Sequence, residues 1–419
     1  MKRTLAEWLE LQQAVHARSI DLGLERVAEV ARRLAVARPT YRVITVGGTN
    51  GKGSTVAYLE AILRSAGVAA GAFTSPHLVR YHERIRIRGE LVDDAALIEA
   101  FERIDAARGS ITLTFFEYNT LAALLLFERA AVSIAALEVG LGGRLDATNL
   151  VDADVGVLSS IGFDHGDWLG DTLESIGAEK AGIFRAGRPA VLATADMPRS
   201  VYDRIAACGA RAVIAGRDYR CLVEADRWSY ASDRLSLAAL PLPALAGRPQ
   251  LTNAASAIAA LEWLDASVPL DAPTVTAALR TVTLPGRFQV VPGRPEWILD
   301  VAHNEPAARV LAAELRARPC DGRTLAVVGI LRDKDVPAIA RELGGCIDRW
   351  ILCSLAGPRG LAAHELAALL GPPGEGAALE ASVASACERA RAEAQPADRI
   401  VVCGSFLTVG PALEWLRLY

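Results

Sequence analysis

No stretch of this 419-residue sequence approaches the roughly 20 consecutive apolar residues that a membrane-spanning helix needs. Its most apolar run, Leu121 to Phe127, follows Glu117 and Asn119 and ends at Glu128 and Arg129, which predicts a buried helix. Met1 to Glu10 carries acidic residues and lacks the apolar segment and small-residue cleavage site of a signal peptide, so a cytoplasmic protein is expected. There is no Cys-x-x-Cys pair. The seven cysteines (Cys208, Cys221, Cys320, Cys346, Cys353, Cys387, Cys403) lie at scattered spacings that offer neither a disulfide framework nor a zinc site. Each reads as a small buried hydrophobe in a reducing compartment. A concentrated basic surface is missing too: the net charge is −4, which excludes nucleic acid as the expected partner and leaves the positive charge for small anions. Internal repeats and low-complexity tracts are absent.

What is present is a globular composition, 52% apolar and 22% charged, in a chain long enough for two or three domains. Two amphipathic helices are expected at about Leu5–Ala17 and Leu24–Ala37. Strand-like runs then alternate with helical patterns: Arg42–Val46 before a helix from Ser54 to Ala66, then Ala135–Val139, Val155–Ser159 and Pro189–Ala193. Such β-α repetition implies a parallel sheet with helices on both faces. Arg220 to Leu242 alternates polar and apolar residues and predicts a small antiparallel ribbon, followed by a helix over Asn253–Leu264. Leu284-Pro285-Gly286-Arg287 carries turn residues and marks the expected linker. After it the alternation restarts, with strands at Trp297–Val301, Thr324–Ile330, Trp350–Leu352 and Arg399–Cys403. The fold class is therefore α/β, with two doubly wound domains over residues 1–284 and 285–419, a common size for the second. Gly371–Gly376 reads as a surface loop.

The strongest local signal is a strand, then Gly47-Gly48-Thr49-Asn50-Gly51-Lys52-Gly53-Ser54, then a helix. Glycines let backbone amides approach phosphate oxygens, the helix N-terminus adds partial positive charge, and a lysine can pair with the β- and γ-phosphates. The general phosphate-loop pattern is not met strictly. Val46 stands where its first glycine belongs, and Gly53 separates Lys52 from Ser54. A ligand-free glycine turn is the bland alternative, and Lys52 weighs against it.

From Val46–Ser54, through Thr74-Ser75-Pro76-His77-Leu78 and Arg84-Ile85-Arg86, the chain resembles folylpolyglutamate synthases, and more narrowly the bacterial bifunctional dihydrofolate synthase/folylpolyglutamate synthases of the Mur ligase superfamily. The resemblance continues through Thr114-Phe115-Phe116-Glu117, the run Leu137–Asn149, Ser160–His165, Glu179–Ile183, Leu284–Phe288, Asp300–Asn304 and Cys403–Phe406. It implies a larger ATPase-like domain, a smaller Rossmann-like one, and ATP-dependent amide formation. A carboxylate attacks the γ-phosphate, and the amine of glutamate displaces phosphate from the acyl phosphate. Positioning and charge neutralisation dominate such chemistry.

Residue by residue, the resemblance implies ATP contacts at Asn50, Gly51, Lys52, Gly53, Ser54, Asn253, Arg287 and Asp300, and Mg²⁺ at Ser75, Glu138 and His165. Dihydropteroate falls to Ser19, Ile20, Asp21, Leu22, Thr114, Phe115, Phe116, Glu117, Leu145, Asp146 and Ala147. Glutamate falls to His303 and Ser405. Lys180 matches a carbamylated lysine, although a surface lysine paired with Glu179 or Glu174 is the ordinary alternative. Lys52, His165, Lys180 and His303 are the catalytic candidates. One departure is that Glu305 occupies a position usually held by proline, with Pro306 after it, so a shifted helix start is expected. The implied substrates are ATP, dihydropteroate, reduced folates and L-glutamate, and the implied state is a monomer. Three alternatives stay open: tail extension alone, a UDP-linked precursor (for which an additional N-terminal domain is expected), and a phosphate-loop ATPase switch without ligase activity.

Overall fold

The computed structural model describes residues 3–18, 20–264 and 267–419. Its larger sheet contains β1 (Arg42–Gly47), β2 (Ala70–Phe73), β3 (Ile85–Ile87), β4 (Glu90–Leu91), β5 (Ile134–Glu138), β6 (Val155–Leu158), β7 (Pro189–Leu192) and β8 (Arg211–Ile214), in the order β4-β3-β2-β5-β1-β6-β7-β8. Six strands are parallel, but β3 pairs antiparallel with β2 and with β4. The sheet is thus mixed, which corrects the expectation of a parallel one. A short chain reversal can add an antiparallel edge, whereas each parallel neighbour needs a crossover helix.

Helices cover both faces. On one, α1 (Leu5–Ala14), α2 (Glu25–Arg33), α4 (Asp94–Arg108) and α5 (Phe115–Arg129) enclose a core with Trp8, Val30, Phe101 and Phe127; on the other, α3 (Lys52–Ser65) packs with helices Pro249–Trp263 and Ala272–Thr281. α5 starts where Thr114 and Glu117 form a capping box, the Thr114 hydroxyl accepting the Glu117 amide and the Glu117 carboxylate accepting the Thr114 amide. The expected apolar run lies inside it, and fully burying a leucine there contributes roughly 1.5–3 kcal/mol. The expected ribbon is present as β9 (Tyr219–Glu224), β10 (Arg227–Ser232) and β11 (Ser236–Pro241).

Beyond Leu284–Arg287 a second sheet forms from β12 (Gln289–Val291), β13 (Glu296–Leu299), β14 (Thr324–Val328), β15 (Arg349–Cys353), β16 (Ala378–Glu380) and β17 (Arg399–Cys403). Its order is β12-β13-β17-β14-β15-β16, parallel except for β12, with an apolar core on each face. Gly371–Gly376 holds a short helix, Pro372–Glu375, because Pro372 supplies helical φ at its first position; the loop expectation is corrected there. Of the cysteines, Cys353, Cys387 and Cys403 are buried, whereas the other four are half-buried, so the uniformly buried reading does not hold.

Candidate active site

The C-terminal ends of β1, β2, β5 and β6 share one sheet edge, and the C-terminal ends of β13, β14 and β17 face them across a cavity of about 1010 Å³. Every catalytic, metal, nucleotide, dihydropteroate and glutamate candidate named from the sequence lines it, except Ser19, which lies outside the described residues. That volume is enough for two substrates side by side.

The glycine-rich loop ends at Gly51, the N-cap of α3, with φ +88°. The helix therefore begins at Lys52, two residues earlier than its apolar pattern suggests. A Cβ on Gly51 would stand 2.7 Å from Asn253 Oδ1. The loop is tied down from behind: Thr49 N–H donates to the Ser160 carbonyl at 2.8 Å, and Asn50 N–H to Ser160 Oγ at 3.0 Å. The amides from Gly51 to Ser54 remain unbonded among the described residues, which is the arrangement an anion at a helix N-terminus requires.

Two lysines converge on this loop. Lys52 Nζ donates to the carbonyls of Gly48 (3.1 Å) and Thr49 (3.0 Å), and Lys180 Nζ to the Gly48 carbonyl at 2.9 Å. Lys180 is 4% exposed, and Glu179 pairs instead with Arg144 at 2.7 Å, so the ordinary surface reading of Lys180 does not hold. Burial, reinforced by the Lys52 ammonium, pushes Lys180 down to about 7; burial also lowers Lys52.

Glu138 ends β5 fully inside the protein. Its Oε2 accepts the Ser75 amide at 3.0 Å, and the carboxylate stands opposite Gly53, near Arg287. Burial raises its affinity for a proton, against Lys52. His165 is pushed down to about 4 by burial, and its neutral ring carries a lone pair. Among the described residues no three His, Cys, Asp or Glu side chains gather into a metal cage. One carboxylate, a hydroxyl and an imidazole suit a cation that completes its shell with water and phosphate oxygens, as Mg²⁺ does.

Across the cleft, Asp300 accepts the amides of Phe288 (2.7 Å) and Ala302 (2.8 Å), which fixes the linker against β13. Arg287 lies under Phe406, 5.1 Å from its ring centroid. Asn304 caps the helix Glu305–Ala317, accepting the Ala307 amide at 3.0 Å, with Glu305 and Pro306 in its first turn. Its amide also exchanges hydrogen bonds with Asn50 across the cleft, at 3.0 and 3.2 Å. His303 lies 3.4 Å from Asp164, and Ser405 caps the helix Phe406–Trp415.

In the apolar arm, Phe115 and Phe116 are both half-buried, Phe116 against Phe73 and Phe115 against Tyr81. The acidic candidates there are already engaged. Glu117 gives one oxygen to the capping box and the other to Arg26 at 3.2 Å, and Arg26 also holds Asp21 at 2.7 Å. Asp146 accepts the amides of Gly140, Leu141 and Thr148 and the Thr148 hydroxyl, so it shapes the loop that carries Leu145 and Ala147.

Sequence reasoning missed Asp164 and Lys334 as a pair. Lys334 Nζ reaches Asp164 Oδ1 at 2.6 Å, with the side chains 5% and 8% exposed, and Asn304 donates to Oδ2 at 3.0 Å. Burial opposes ionisation of Asp164, yet the His303 hydrogen bond and the Lys334 ammonium hold it well below the usual carboxylate range. The signal was the Asp333-Lys334-Asp335 run at the end of a strand, which nothing in sequence links to Asp164. Arg84, His77 and Arg26 were likewise not assigned.

A model of the Mur ligase middle domain matches residues 46–261, and one of the Mur ligase glutamate ligase domain matches residues 286–406. The chain is 46% identical over 410 residues to the dihydrofolate synthase/folylpolyglutamate synthase of Escherichia coli, covering 98% of this chain and 95% of that protein. The solved structure of E. coli FolC in complex with DHPP and ADP superposes with a TM-score of 0.94 at 45% identity, over 99% of this chain and 98% of that one. A bifunctional folylpolyglutamate synthase/dihydrofolate synthase with Mn, AMPPNP and L-glutamate bound gives 0.91 at 44% identity, over the same shares.

Proposed function

Because the chain belongs to the dihydrofolate synthase/folylpolyglutamate synthase family of Mur ligases, we infer that it is a bifunctional ATP-dependent ligase. It joins L-glutamate to 7,8-dihydropteroate and adds further glutamates to tetrahydrofolate. The observation that carries this reading is the single cavity in which a phosphate loop, an aromatic-lined arm and the strand ends of a second sheet meet.

On this reading the chain divides at Leu284–Pro285. The amides from Gly51 to Ser54 and the Lys52 ammonium receive the triphosphate, and Asn253, Arg287 and Asp300 hold the rest of the nucleotide. The pterin lies in the arm of Phe115 and Phe116, with Ile20 to Leu22 and the loop of Leu145 to Ala147 around it. Glutamate enters from the side of His303 and Ser405. The acceptor carboxylate attacks the γ-phosphorus in line and ADP leaves. The glutamate amine then adds to the acyl carbon, loses a proton, and phosphate departs.

Ser75, Glu138 and His165 form a donor set for Mg²⁺, which when bound neutralises charge on the transferring phosphoryl group. Lys52 adds fixed positive charge at the same place. Lys180 is the carbamylation candidate, supported by its burial and its lowered proton affinity. The cavity is lined from both of this chain's own units, which supports a monomer. Seven free cysteines suit action in the cytoplasm. Among the described residues no helix is long and apolar enough to cross a membrane.

The reading is tested by ADP release with dihydropteroate and glutamate supplied separately and together, with the products weighed. Turnover with tetrahydrofolate but not dihydropteroate would leave a tail-extending synthase only.

A further inference from the structure

One buried guanidinium in the cavity forms no ion pair among the described residues, although Glu138 and Glu83 act on it at longer range. Arg84 ends a 3₁₀ turn, Tyr81–Arg84, is 7% exposed, and lines the cavity beside Pro76, His77 and Phe115. Its side chain makes one hydrogen bond among the described residues, from Nε to His77 Nδ1 at 2.8 Å. That bond fixes His77 with an unprotonated Nδ1 and leaves both Nη groups of Arg84 free for a ligand. The guanidinium carbon lies 5.3 Å from the Phe115 ring centroid and 5.9 Å from that of Tyr81, so aromatic faces flank the charge.

A buried fork of N–H donors without a carboxylate is costly unless a ligand supplies one. The planar pair of Nη groups matches a carboxylate, and the aromatic walls match a benzene ring attached to it. We propose that Arg84 is the binding residue for the benzoate carboxylate of dihydropteroate, holding it at the mouth of the aromatic arm toward the phosphate loop. This rests on the ligase reading above. His77 acts through Arg84, as a positioning residue that sets the angle of the fork.

Arg84 has different neighbours from the cations at the phosphate loop. Lys52, Lys180 and Arg287 surround the loop and Glu138, whereas Arg84 stands among Phe115, Tyr81 and His77. Removing it should therefore weaken the acceptor and spare the nucleotide.

The test is equilibrium binding of two ligands in the presence of Mg²⁺ and a non-hydrolysable ATP analogue. One is dihydropteroate, and the other is its counterpart lacking the carboxyl group. The unaltered protein should prefer dihydropteroate by about 10- to 100-fold, the scale of a charge-assisted bidentate contact. Arg84→Gln should bring that ratio close to one, and Arg84→Lys, which keeps charge but loses the fork, should fall between. A ratio is insensitive to partial unfolding of a variant, because misfolded protein binds neither ligand. If Arg84→Gln keeps the preference, or weakens both ligands equally, or weakens the ATP analogue instead, the assignment is wrong. If the unaltered protein binds neither ligand, the ligase reading itself falls.

Discussion

Lys52 and Lys180, more than 120 positions apart in sequence, both donate to the carbonyl oxygen of Gly48, at 3.1 and 2.9 Å. Two ammonium groups at one buried acceptor repel each other, and the strain is relieved when one becomes neutral. Burial and the Lys52 ammonium push Lys180 down to about 7, which brings a neutral amine within reach there. A neutral amine adds to CO₂, forming an N–C bond and releasing a proton, and the product is an anion beside Lys52.

The first prediction follows from that sign. Because only the neutral amine reacts, carbamate at Lys180 should grow as pH rises through about 7 and vanish below it. With ¹³C-labelled bicarbonate, a carbamate resonance should be seen in the unaltered protein and be missing in Lys180→Ala. That variant should also lose about 100-fold in turnover, as for loss of a preorganised charge. A labelled spectrum identical in both proteins would contradict the assignment.

The buried pair of Asp164 and Lys334 joins the two sheets' loops, so it should hold the cleft together. Removing one partner leaves a buried charge uncompensated, and Asp164→Ala should cost about 3–5 kcal/mol in urea unfolding. Replacing both with Asp164→Leu and Lys334→Met should restore much of that stability without restoring activity. The pH dependence has a defined sign. A carboxylate held below its unfolded value adds stability above about pH 4, and that contribution is lost as pH falls further. Asp164→Ala should therefore show a flatter acid limb than the unaltered protein. Equal limbs would show that the pair is not formed in solution.

Gly51 and Gly67 both have positive φ, +88° and +71°, but only Gly51 faces a neighbour. Alanine at either position should cost about 1 kcal/mol from backbone strain. Only Gly51→Ala should weaken ADP binding, because its Cβ would press on Asn253 and displace the helix N-terminus; calorimetric titration separates the two effects. Equal ADP affinity in both variants would remove the loop from the nucleotide site.

Much of this was legible in the sequence where local chemistry is self-sufficient. β1, the phosphate loop and α3 were readable because apolar strand residues, glycines and a helical pattern succeed each other within about 25 positions. β2 was not, since its Ala-Gly-Ala-Phe sequence lacks bulky β-branched residues. The structure gives the reason: a Cβ on Gly71 would stand 2.5 Å from the Phe127 ring, so the strand is small because α5 covers it. Among the residues that line the cavity, Glu138 and His165 were legible as motif members. Glu117 and Asp146 were legible as positions, but their hydrogen bonds to Arg26 and to the 140–148 loop were not, because those partners are set by packing. The Asp164–Lys334 pair spans 170 residues and was hidden for the same reason.

The most direct test of the central claim is ADP release by the purified protein with Mg-ATP, dihydropteroate and L-glutamate. ADP should form only when both co-substrates are present, with dihydrofolate appearing in step, and tetrahydrofolate with glutamate should give the glutamyl-extended product. ATP hydrolysis indifferent to both acceptors and to glutamate would contradict the account and return the phosphate loop to an ATPase without ligase chemistry.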